Sequence, residues 1–259
     1  MAPQGQAAGG MLPHAPMTLL VALKAEDGLV LAADSRGTFG DPRGVTAQND
    51  SQKKAHVLSK HVAVLLAGSG ELGAMLVRNV EAKVQAEGLD GVTNVSSSFR
   101  EVARQCYGEW FPHLPPAAPP GIPQMSRPDI QAIVAGFDPG ANEAFDQARI
   151  IQLLSGLDFP PMLHEYGFAL AGVAQYALYL LNRLYEPGRT VAELSALAVY
   201  AITETASQDG KVGGQVRLIT ITPQAGCVEV QDSEVERIIR QNGQRARKWR
   251  ASFYGPRRA

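Results

Sequence analysis

The chain has 259 residues, 45% of them hydrophobic, which is enough for one substantial core. Its 24 basic and 25 acidic side chains leave a formal net charge of -1, so there is no global nucleic-acid footprint. The two cysteines, Cys106 and Cys227, are too few for a disulfide scaffold or a cysteine metal cluster and suit a reducing, cytoplasmic compartment; no apolar stretch reaches membrane-spanning length.

Residues 1–17, MAPQGQAAGGMLPHAPM, lack a positive n-region and a continuous apolar core. They read as a flexible leader, or as sequence upstream of the true start, rather than as a secretion signal. Thr18 follows, directly before two apolar runs, Leu19–Ala25 and Leu29–Ala33, joined by Glu26-Asp27-Gly28. That pattern predicts an antiparallel hairpin. Val62–Ala67 reads as a strand that ends in the turn Ala67-Gly68-Ser69-Gly70. Leu72, Met75, Leu76, Val80 and Val84 are spaced for an amphipathic helix over Leu72–Gln85, and a second helix is read over Phe99–Phe111. Pro112–Pro123 holds six prolines and must be a loop.

Strands are expected at Ile130–Phe137 and Arg149–Leu154, then a helix at Gln175–Tyr185 ended by Pro187-Gly188. The next helix starts at Thr190, with Glu193 at capping-box spacing, and runs toward Ser207. Strands Val216–Thr222 and Cys227–Val230 and a helix at Ser233–Arg240 complete the pattern. The order is strands, two helices, strands, two helices, strands, which favours an α+β layered sandwich over alternating βαβ units. No linker justifies a second domain, so a single domain is expected over residues 18–244. The tail Arg245–Ala259 carries six basic and no acidic residues. It reads as a solvated extension, with an assembly contact or a weak anionic patch as alternatives.

A threonine hydroxyl is a poor nucleophile until a base removes its proton. In an N-terminal threonine the α-amine, with an ordinary pKa of about 7.7–8.0, can do so directly or through water. Thr18 has that amine only if residues 1–17 are removed or never made. Asp34 ends the second strand, Lys53-Lys54 lies in a polar stretch, and the amides of the Gly-Ser-Gly turn can face an oxyanion. Each has a plainer reading: Thr18 as a strand residue, Asp34 as a turn cap, the lysines as surface charges.

Taken together, these motifs resemble the proteasome β-type family of N-terminal nucleophile (Ntn) hydrolases. The matching residues are Thr18, Asp27-Gly28, Ala32-Ala33-Asp34-Ser35-Arg36, Thr38, Gly40, Lys53-Lys54, Ala67-Gly68 and Asp209 before Gly213-Gly214. The resemblance implies a four-layer αββα sandwich and a threonine-type endopeptidase. It also implies homo-oligomeric rings or a barrel, peptides or unfolded proteins as substrates, and an ATP-dependent unfoldase as a candidate partner. Neither a cofactor, a metal, a nucleic acid nor a membrane is called for. Carried over, Thr18 is the nucleophile, Lys54 its neighbouring positive charge and Asp34 the partner of Lys54. The Gly68 N–H is the oxyanion donor, and Asp209 orients the site near the amine. Thr38 would bind an extended substrate through its backbone. Gly37, Gln52, His56, Leu66 and Gly70 would line the first specificity pocket, which is expected to take a medium or large uncharged side chain.

The sequence departs from the family pattern at several points. Val212 and Val173 stand where the family has serines, and the segment between Gly37 and Lys54 is longer. Met17 stands where self-processing members carry glycine. A start at Met17, followed by removal of that methionine, is a simpler route to a terminal Thr18. The leader, rich in Gly, Pro and Ala, is a weak helix candidate, unlike the N-terminal helix of noncatalytic α-type subunits. Three other readings stand beside the peptidase. One is a catalytically weak or inactive proteasome-like scaffold, another an Ntn amidohydrolase acting on a small amide. The last is a nucleic-acid module resting only on the basic tail.

Overall fold

Strands β1 (Leu19–Lys24) and β2 (Leu29–Ala33) have apolar side chains on both faces, and nearly every residue of the pair is buried. A strand apolar on both sides must lie between two packed layers. In the computed structural model, which describes residues 18–41, 44–117, 119, 126–138 and 147–254, it does. The leader 1–17 lies outside the described residues.

The remaining elements, in chain order, are β3 (Gly37–Asp41), β4 (Gly44–Asn49), β5 (Ala55–Ser59), β6 (Val62–Gly68), α1 (Gly70–Glu87) and α2 (Val92–Trp110). Then come β7 (Ile130–Gly136), β8 (Arg149–Leu154), β9 (Met162–Leu163), β10 (Phe168–Gly172), α3 (Gln175–Leu184) and α4 (Val191–Gln208). Strands β11 (Arg217–Thr222) and β12 (Gly226–Glu229) and helix α5 (Asp232–Tyr254) follow. Two antiparallel five-stranded sheets form, in the orders β10-β1-β2-β11-β12 and β5-β6-β7-β8-β9, and β3-β4 is a separate hairpin.

The period-2 alternation of the strands assigns the layers. Leu19, Val21 and Leu23 face α3, α4 and α5, whereas Leu20 and Ala22 face the other sheet. On β6, Val62, Val64 and Leu66 face α1 and α2, whereas Ala63, Leu65 and Ala67 meet the first sheet. The result is a mixed α/β fold of two major sheets flanked by helices, an αββα sandwich of the Ntn type. No helix among the described residues is long and apolar enough to cross a membrane.

The expected β1–β2 hairpin forms, with Leu20 opposite Ala33 and Lys24 opposite Leu29. The capping box also forms: the Glu193 N–H donates to Thr190 Oγ1 (3.3 Å) and the Thr190 N–H to Glu193 Oε2 (3.0 Å). Other boundaries differ. Helix α2 begins at Val92 rather than Phe99. Its first turns, VTNVSSS, are poor helix formers, but Val92 and Val95 are buried and the Asp138 carboxylate accepts from the Thr93 N–H (3.0 Å) and hydroxyl (2.8 Å). Helix α5 runs past Arg240 to Tyr254. Buried Asn242 fastens it to α4 by donating to the Ala196 carbonyl (2.8 Å), so the basic stretch is helical from Arg245 to Tyr254.

Candidate active site

Thr18 directly precedes β1 and is 5% exposed. Its carbonyl accepts from the Val173 N–H (2.7 Å), in the turn after β10. That turn needs Gly172: its φ is +83°, and a Cβ there would stand 1.8 Å from the Thr18 oxygen.

Asp34 follows β2 and is buried. Its Oδ1 accepts from the Leu19 N–H (3.0 Å) and Lys54 Nζ (2.8 Å), and its Oδ2 from the N–H groups of Gly213 (3.0 Å) and Arg36 (3.2 Å). Lys54, just before β5, also donates to the Arg36 carbonyl (2.6 Å). Burial pulls the Lys54 ammonium below its usual pKa, and the Asp34 carboxylate pushes back. A buried charge of this kind is tolerable only when paired and hydrogen-bonded. The adjacent Lys53 is mostly exposed, 3.9 Å from Glu229, so the two neighbouring lysines occupy opposite environments.

Thr18 and Lys54 line one cleft together with Gln52, His56, Leu66, Gly68 and Gly70. Gly68 has φ +115°, and a Cβ on it would stand 2.1 Å from the Asp129 carbonyl; that carbonyl also accepts from the Ser69 N–H (3.2 Å). Burial pushes the His56 imidazole down to about 4, so it is neutral near pH 7.

A model of the proteasome subunit family matches residues 18–112, and the match begins on Thr18. The chain is proteasome β-subunit-like, similar to such subunits over most of its length. It is 25% identical over 244 residues to proteasome subunit beta 1 of Streptomyces avermitilis, covering 91% of this chain and 79% of that one. It is 25% identical to proteasome subunit beta of Methanothrix thermoacetophila, covering 86% of this chain and 96% of that one. With proteasome subunit beta of Mycobacterium avium the identity is 26%, over 95% of this chain and 78% of its relative.

Of the residues singled out in the sequence, Asp34 lies beneath the cleft, bonded to Lys54, and Gly37 lies against Gln52. Thr38 pairs with Gln48 in the β3–β4 hairpin, and its hydroxyl is buried without a hydrogen-bond partner. Asp209 follows the end of α4, and its carboxylate accepts from the Lys211 N–H (2.9 Å). Thr38 and Asp209 are not among the described residues that line the cleft.

The loop after Asp209 reaches the site through other atoms. Asp34 takes the Gly213 N–H, Ser35 Oγ takes the Gln215 N–H (2.7 Å), and an Arg36 guanidinium N–H donates to the Gly210 carbonyl (3.0 Å). Asp50 grips that guanidinium with both carboxylate oxygens (2.7 and 2.9 Å). The whole Asp34-Ser35-Arg36 string therefore pins one distant loop. Sequence reasoning quoted Ser35 and Arg36 but assigned them no task, and Asp50 carries no motif. Ser69, Gly73 and Ala74 also line the cleft. Gly73 and Ala74 were not singled out in the sequence; small residues three and four positions beyond Gly70 on a helix are the signal that could have found them.

The glycines at 37 and 70 do not leave open space. A Cβ on Gly37 would stand 2.8 Å from Gln52 Oε1, and one on Gly70 would stand 2.0 Å from Gln52 Nε2. The Gln52 carboxamide fills the room that the two glycines make. Val212 is fully buried in the helix–sheet core, and Val173 packs against that same core, so both side chains serve packing.

Proposed function

We propose that this subunit is a threonine-type endopeptidase that works inside a self-compartmentalised, cytoplasmic oligomer of its own copies. One observation carries the reading: a buried Lys54–Asp34 pair, held by amides from β1 and from the loop after α4, lies at the cleft that Thr18 lines.

The chemistry needs Thr18 as a chain end. Its amine takes the hydroxyl proton, directly or through water, as Oγ1 attacks the scissile carbonyl carbon. The Lys54 ammonium lowers the cost of the developing alkoxide, and the Gly68 N–H donates to the tetrahedral oxyanion. Collapse breaks the C–N bond, and the proton passes from the threonine amine to the departing amine. Water then attacks the acyl ester and regenerates Thr18. Asp34 keeps Lys54 in place, and Asp209 orients the site near the amine through the loop that follows it, whose Gly213 N–H donates to Asp34. The extended substrate pairs with the backbone at Thr38. A weak or inactive scaffold is the second reading; Val173 and Val212 favour it, since neither can offer the amine a hydroxyl.

Intact mass and peptide cleavage decide together. A mature chain beginning at Thr18 that hydrolyses fluorogenic peptides, and loses this on Thr18→Ala, is expected. Full activity with residues 1–17 still attached would overturn the proposal, as would a mature chain beginning at Thr18 that cleaves nothing. Light scattering should find a particle much larger than a dimer.

A further inference from the structure

Two turns must be held at a fixed separation for the chemistry above: the one that carries the Thr18 carbonyl and the one that presents the Gly68 amide. They belong to different sheets. Gly172 lies on β10, at the edge of the first sheet, and Gly68 ends β6 in the second. The start of β7 touches both. The backbone carbonyl of Asp129 accepts the Ser69 N–H (3.2 Å) and lies against Gly68. Two residues on, Gln131 sits opposite Ala67 in the β6–β7 ladder, and its side chain crosses to the other sheet. Gln131 Oε1 accepts the Gly172 N–H (3.1 Å), and Gln131 Nε2 donates to Asp129 Oδ2 (3.0 Å). The next amide after Gly172, that of Val173, donates to the Thr18 carbonyl.

We propose that Gln131 is a positioning residue for Thr18, setting the nucleophile's turn against the Gly68 turn through the common strand β7. The proposal rests on the peptidase reading for its consequence, not for its geometry. An edge strand has no neighbour to take its outward N–H groups, and Gln131 supplies the acceptor at the residue that must hold a left-handed conformation beside Thr18. Asp129 in turn fixes the rotamer of Gln131, and the Asp129 carboxylate is itself steadied by the Ser155 hydroxyl (3.3 Å). Gln131 is not among the described residues that line the cleft. Its effect belongs on the rate of the chemical step, because a small misplacement of a nucleophile is costly there.

The test uses the assembled, mature protein. Gln131→Leu keeps the bulk and removes both hydrogen bonds; it should lower kcat roughly 10- to 100-fold, with KM within about twofold. Gln131→Glu keeps an acceptor for Gly172 but sets a carboxylate beside Asp129, and should lose part of the rate. Adding Asp129→Asn supplies a donor to that carboxylate and should restore most of the rate. Hydrogen exchange at residues 168–174 should quicken in Gln131→Leu and return toward wild type in the double variant. A wild-type kcat in Gln131→Leu would overturn the proposal, as would a loss that appears in KM alone. If Gln131→Leu does not assemble, the Glu variant with and without Asp129→Asn decides, and equal rates for those two would overturn it. Were the wild-type protein to cleave no peptide, the peptidase reading would fall. Exchange at Gly172–Val173 would still decide the positioning role: unchanged exchange on removal of the side chain refutes it.

Discussion

The floor and the wall of the cleft are built differently. On the floor, both oxygens of Asp34 are fully engaged, and Lys54 donates to Asp34 Oδ1 and to the Arg36 carbonyl. On the wall, the Gln52 carboxamide rests against two glycines, and the neutral His56 ring stands 4.0 Å from Glu81. The floor is over-determined, since its hydrogen bonds join four separate chain segments, at Leu19, Asp34–Arg36, Lys54 and Gly213. The wall is made of side-chain ends that can be exchanged without unpairing a buried charge. Under the proposed peptidase reading, reaction and selectivity would be lodged in parts of different stiffness.

The sharpest way to break this contrast is at the two neighbouring lysines. Lys54→Met should lower peptide hydrolysis about 100- to 1,000-fold with assembly kept, because the positive charge beside the developing Thr18 alkoxide is lost. Lys53→Met, on the exposed side, should stay within about twofold. Equal effects in a fluorogenic assay would mean that the two environments do not divide the work. Asp34→Asn tests the stiffness itself. It leaves a buried ammonium without its counter-charge, so unfolding in denaturant should reveal a loss of about 3–5 kcal/mol. A change below 1 kcal/mol would show that the floor is not held by this pair.

On the wall, Gln52→Ala should leave stability nearly unchanged. It should raise kcat/KM for a large uncharged side chain over a small one about 10-fold, since an added methylene of pocket depth is worth that order of discrimination. This refines the expectation of a medium or large side chain: the room for it exists only once Gln52 moves or is removed. An unchanged preference across a peptide panel would take Gln52 out of the wall.

The smallest effect is a pH dependence. The folded His56 pKa is depressed to about 4 from an ordinary 6.5. Between those values the unfolded chain binds a proton that the folded one does not, so stability must fall as pH drops through this window. His56→Gln should flatten that part of the melting-temperature profile, and an identical profile would mean that the ring is not buried neutral.

Much of the fold was legible in local pattern. The two apolar runs after Thr18 announced the β1–β2 hairpin, the Thr190–Glu193 spacing announced the start of α4, and Thr18, Asp34 and Lys54 stood in recognisable strings. The short elements β3, β4, β5 and β10 were not legible. They are brief and rich in glycine or polar residues, and ladder partners, not periodicity, hold them extended. The same limit hid the bonds that complete the candidate site. Gly213 to Asp34, Asp50 to Arg36 and Gln131 to Gly172 each join segments with no shared motif, and nothing in a glutamine's neighbours along the chain reports that it bridges two sheets. Sequence alone determines which residues have the chemistry and which faces must be buried, because both are properties of side chains and their spacing. Tertiary structure decides which amides meet which carboxylates, because a hydrogen bond depends on distances that only the packed sheets bring within about 3 Å.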